Sequence, residues 1–126
     1  MSTSSKHPED WTDEEIYQEV AKIVRKFKLL ECDRCAKAVV KWLQDNRIES
    51  KILRIRTKYG EDYIISTRLE ELGITESITD NGTHYGVEVR RRVFDNLSPD
   101  GISREDWLND FHCQSEQFIV EELDKF

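Results

Sequence analysis

Apolar residues recur at helical spacing in the N-terminal part of the chain and at alternate positions further on. Ile16, Val20, Ile23, Val24 and Phe27 form one stripe. Thr12-Asp13-Glu14-Glu15 precedes it as a capping box, with a hydroxyl at the N-cap and a glutamate three residues on. Lys22, Arg25, Lys26 and Lys28 fall toward the end of that helix, where cations suit the macrodipole. Cys32, Cys35, Ala36, Val39, Val40 and Leu43 make a second stripe, with Trp42 at its flank, and predict a helix from about Cys32 to Asn46. The polar, small residues 1–10 predict a disordered lead.

Beyond this, Ile52, Leu53 and Ile55 predict a strand over Lys51–Thr57, with residues 58–62 as its turn and Tyr63–Ser66 as the return strand of a hairpin. Residues 67–80 read as an irregular connection or a short helix. Asn81-Gly82 is a turn signal opening a strand that starts at His84. A short reversal at Arg90-Arg91-Arg92 leads into a second strand ending on Asp95-Asn96. Residues 97–101 read as a loop, and Ser103-Arg104-Glu105-Asp106 caps a short helix through Trp107, Leu108 and Phe111. Phe118-Ile119-Val120 predicts a last, edge strand. The expected fold class is α+β, with N-terminal helices packed on an antiparallel sheet.

A length of 126 residues fits one domain, here 11–126. With 36% charged residues and a net charge of -7, the chain is a poor match for nucleic acid or an anionic membrane, both of which select basic faces. No apolar run approaches a bilayer span, and residues 1–6 lack the apolar core of a signal peptide. The expectation is a cytoplasmic protein with reduced thiols, because Cys32, Cys35 and Cys113 are too few for a disulfide framework.

Alternation puts His84, Gly86 and Glu88 on one face of their strand. If the two strands pair, Asp95 or Asn96 comes beside His84; these neighbours face opposite ways, so only one can meet it. A histidine oriented by a carboxylate or amide is half of a nucleophilic site, and Cys32 offers the other half. Its predicted place at a helix N-terminus, among unpaired amides, favours an anion such as a thiolate.

Two other chemistries compete. Cys32, Cys35, His112 and Cys113 have the composition of a zinc site, but the adjacent pair His112-Cys113 cannot easily turn toward one tetrahedral ion. Cys32-Asp33-Arg34-Cys35 has the spacing of a thioredoxin-like redox pair but lacks the preceding strand. Arg90–Arg92 reads as a solvated turn, with docking of an acidic substrate or partner as the functional alternative. Trp42, Trp107, Phe111 and Phe118 read as core.

The segments Glu31-Cys32-Asp33-Arg34-Cys35-Ala36, Asn81–Val87 and Val93–Leu97 resemble the papain-fold toxin domains of bacterial polymorphic toxin systems, and most closely the group called papain fold toxin 2. The likeness extends over Gly101–Leu108 and covers nearly everything after about residue 25. It implies a papain-like cysteine-peptidase fold and a cysteine peptidase or deamidase that needs no cofactor or metal. Cys32 would be the nucleophile, His84 the base and Asp95 the orienting group, with Cys35 and Asn96 as alternates. It also implies a protein substrate, an immunity protein as partner, and delivery to a target cell. A papain-like module without activity, used for binding, is the competing implication. Papain-like enzymes place a Gln or Asn upstream of the cysteine as an oxyanion donor, and residues 25–31 contain neither.

Overall fold

The structure, a computed structural model, describes residues 7–126; the first six residues of the polar lead lie outside the described residues. A 3-10 turn over Pro8–Asp10 precedes α1 (Asp13–Val24). Thr12 and Glu15 complete the capping box at its start, each side chain accepting from the other's backbone N–H. A short connection leads to α2 (Cys32–Asp45) and then to β1 (Lys51–Thr57).

Next come β2 (Ile65–Ser66), α3 (Thr67–Glu71), β3 (Thr83–Val89), β4 (Arg92–Asp95) and β5 (Ser98–Ile102). The chain closes with α4 (Arg104–Asn109), β6 (Phe111–His112) and β7 (Phe118–Leu123). Five strands form an antiparallel sheet in the order β5-β4-β3-β1-β7, so the fold is α+β. β7 is an edge strand, paired only with β1. No helix among the described residues is long and apolar enough to cross a membrane.

Three local expectations are corrected. Tyr63–Ser66 does not return along β1; only Ile65–Ser66 is a strand, and it pairs with β6, because β1 already has β3 and β7 as neighbours. Residues 98–102 are a strand, not a loop, with Asp95 opposite Ser98 and Val93 opposite Ile102 around an irregularity in β4. Gly101 carries the positive φ (+72°) there, and a Cβ on it would meet the Phe94 ring at 2.7 Å. Phe111 lies in β6, beyond the end of α4.

Strand alternation divides the core in two. Ile52, Val87, Val89 and Phe94 point toward α1 and α2, where they meet Ile16, Val20, Val24, Val39 and Leu43. Leu53, Ile55 and Val93 point the other way, into a cluster with Ile64, Ile78, Trp107 and Phe111. Cross-strand pairing of Ile55 with His84 and Leu53 with Gly86 puts the histidine in this second layer.

Candidate active site

His84 and Asp95 are both buried in the second layer, and His84 Nε2 lies 2.8 Å from Asp95 Oδ2. Trp107 Nε1 donates to the same carboxylate oxygen at 2.8 Å, and the N–H of Leu97 donates to the other at 3.0 Å. Gly86 makes this possible: a Cβ there would lie 2.8 Å from Trp107 Cζ2 and 2.9 Å from Val93 Cγ1. The indole therefore lies against bare strand, stacked on the imidazole at 5.9 Å, while Phe111 closes another side at 5.0 Å.

Burial alone would lower the His84 pKa, since it penalises the charged form. The hydrogen bond and charge of Asp95, with the Cys32 sulfur nearby, outweigh burial and raise it above its ordinary 6.5. Burial would likewise raise the Asp95 carboxyl, but His84, with help from Ser98 and Trp107, holds it below 3.8. His84 Nδ1, the other ring nitrogen, is buried with no hydrogen-bond partner of normal geometry, which leaves it available to the sulfur.

Cys32 is the first residue of α2 and sits where β3 begins, its Sγ 4.0 Å from the carbonyl oxygen of Thr83. The turn feeding it is held by Asn96, whose Nδ2 donates to the Lys28 carbonyl at 2.8 Å, and by Leu30 at a positive φ of 72°. A leucine in the left-handed region costs roughly 1–2 kcal/mol. Glu31 beside the thiol is engaged elsewhere, accepting from the Lys28 N–H at 2.7 Å and pairing with Arg34 at 2.9 Å.

Cys32 lines an open cleft of about 950 Å³ together with Arg34, Lys37, Arg54, Arg56 and Asn81. His84 is fully buried behind that wall, so a ligand in the cleft meets the sulfur before the imidazole.

The alternates go elsewhere. Cys35 faces the helix-side core with no exposure, and burial, then the charges of Asp95, Cys32 and Glu31, push its thiol up to about 12. Asn96 points away from His84, onto Lys28. His112 Nδ1 pairs with Glu116 at 2.6 Å, and the Cys113 sulfur faces Ser115 and the Gln117 carbonyl. Among the described residues, no group of three or more His, Cys, Asp or Glu side chains converges on a possible metal position. Arg90 reaches Asp13 at 2.7 Å on the helix side of the molecule, so the arginine run is not part of the cleft.

A family model described as papain fold toxin 2 matches residues 15–112. The chain belongs to the papain fold toxin 2 family. No curated protein and no solved structure matched it significantly. The papain fold toxin 2 match runs from α1 into β6 and so contains Cys32, His84 and Asp95. Trp107 lies in the core, as its sequence predicts, but its hydrogen bond to Asp95 and the role of Gly86 carry no sequence signal, because they depend on a strand and a helix meeting across the sheet. Ser98 was hidden in the segment read as a loop. The cleft cations are separated along the chain and form no sequence motif.

Proposed function

We propose that this papain fold toxin 2 domain is a cysteine-dependent amide hydrolase, a peptidase or a protein deamidase. The Cys32 thiolate, its proton already taken up by His84, attacks the carbonyl carbon of a peptide bond or side-chain amide. The tetrahedral adduct collapses, the C–N bond breaks, and His84 returns the proton to the departing nitrogen. Water then attacks the thioester with His84 taking its proton, which releases the acid and restores the thiol. Asp95 holds the imidazole in the tautomer this needs and stabilises the imidazolium that forms. A protein substrate, delivery into a target cell and an immunity protein belong to the same reading.

The observation that carries it is the buried His84–Asp95 pair at 2.8 Å with the remaining ring nitrogen unpartnered and the Cys32 sulfur close enough to influence the imidazole. A second reading, an inactive binding module, draws on the complete burial of His84. Iodoacetamide at neutral pH separates the two. The enzyme reading expects fast labelling of Cys32 alone, slowed in His84→Ala; equal, slow labelling of all three thiols rejects it.

A further inference from the structure

Acyl chemistry at Cys32 needs hydrogen-bond donors for the carbonyl oxygen as it takes on negative charge. We propose that Asn81 supplies one through its side-chain NH2, with the backbone N–H of Cys32 as the other; this rests on the reading of Cys32 as nucleophile.

Asn81 and Cys32 line the same cleft. Asn81 Oδ1 accepts from the Thr83 N–H at 3.0 Å, and Thr79 Oγ1 lies 2.7 Å from the same oxygen. A backbone N–H can only donate, so this contact identifies the oxygen end of the carboxamide and turns the NH2 the other way. That NH2 has no protein acceptor among the described residues.

Thr79 is buried, its Oγ1 accepts from the Asn81 N–H at 3.2 Å, and the same hydroxyl lies 2.9 Å from the Thr83 carbonyl oxygen. That carbonyl is the group 4.0 Å from Cys32 Sγ, so sulfur and carboxamide both meet Thr83. Gly82 lets the turn close so tightly: its φ is +74°, and a Cβ would lie 2.1 Å from the Glu61 carbonyl oxygen.

On the helix side, the first bond back to the N-cap is Cys35 N–H to Glu31 O at 2.9 Å, and the Glu31 side chain caps no amide of α2. The Cys32 N–H, at the first helical position, has no intrahelical partner. Donors held in place before the reaction stabilise the developing charge without reorganisation. As the Sγ–C bond forms, the carbonyl pair moves onto oxygen and is held by these two N–H groups until the C–N bond breaks.

Two reagents isolate this step. p-Nitrophenyl acetate acetylates a thiol through a tetrahedral oxyanion and expels p-nitrophenolate; iodoacetamide alkylates it by direct displacement of iodide, with no oxyanion. Asn81→Ser keeps an acceptor for the Thr83 N–H without charge, and Asn81→Asp keeps the carboxyl-type acceptor; both lose the NH2. Acetylation of Cys32, followed by nitrophenolate release and peptide mass, is expected to fall about 10²-fold in both variants. Alkylation of Cys32 in Asn81→Ser is expected to stay at the wild-type rate. Unchanged acetylation, or acetylation and alkylation falling in parallel in Asn81→Ser, overturns the assignment. A wild-type protein that alkylates but does not acetylate at Cys32 overturns the nucleophile reading itself.

Discussion

On the helix-covered face of the sheet, Ile52, Val87, Val89 and Phe94 meet the apolar stripes of α1 and α2. On the opposite face, Leu53, Ile55 and Val93 share their layer with a buried carboxylate that an imidazole and an indole nitrogen both hydrogen-bond. The same strands build both. Phe94 packs on the helices and its neighbour Asp95 turns to His84; Cys35 is sealed in the helix-side core and Cys32, one turn earlier, opens onto the cleft. On the proposed reading, altering the first layer should cost stability alone, whereas altering the second should also change the reactivity of Cys32.

The largest effects are expected where a buried charge loses its partner. Asp95→Ala strands a buried imidazole and should destabilise the fold by about 3–5 kcal/mol in urea unfolding, with slower alkylation of Cys32. Leu43→Ala, on the helix side, should cost about 2–5 kcal/mol through its cavity, yet leave the alkylation rate of the native protein unchanged. If Leu43→Ala slowed labelling as Asp95→Ala does, the division between the faces would fail.

Gly86→Ala should cost about 1–3 kcal/mol by overpacking. The added methyl pushes the indole off Asp95, so the Trp107 Nε1–H proton resonance should move; an unmoved signal would mean that the glycine is not what seats the ring. Lys41→Ala breaks only the exposed pair with Asp45 at 2.9 Å and should change stability by about 0.3–0.5 kcal/mol.

The pair also predicts the pH response of stability. Asp95 is held below 3.8 in the fold, so its contribution is present above that value and is lost as pH falls through the lowered pKa. His84 is held above 6.5, so its contribution is complete below 6.5 and fades as pH rises through the raised pKa. Urea midpoints across this range should show both losses in the wild type, and Asp95→Asn should weaken them together.

Much of this was legible in sequence because it is local. The capping box and the apolar stripes placed α1 and the start of α2, and strand alternation put His84 on the face that Asp95 reaches. The β3–β4 pairing was legible from the short reversal between the two strands. Other partners were not, since nothing near Ile65–Ser66 announces β6 and Ser98-Pro99-Asp100-Gly101 has turn composition while serving as a strand. Trp107 reads as core from its neighbours, and its hydrogen bond to Asp95 exists only because Gly86, distant in the chain, leaves room for the ring.

The account depends most on Cys32, His84 and Asp95 acting as one electrostatic unit. An NMR titration of the His84 ring in wild type and in Cys32→Ala addresses that directly. Removing the sulfur is expected to lower the imidazole pKa while the bond to Asp95 keeps it above that of Asp95→Asn. Identical His84 titrations with and without the sulfur would contradict it.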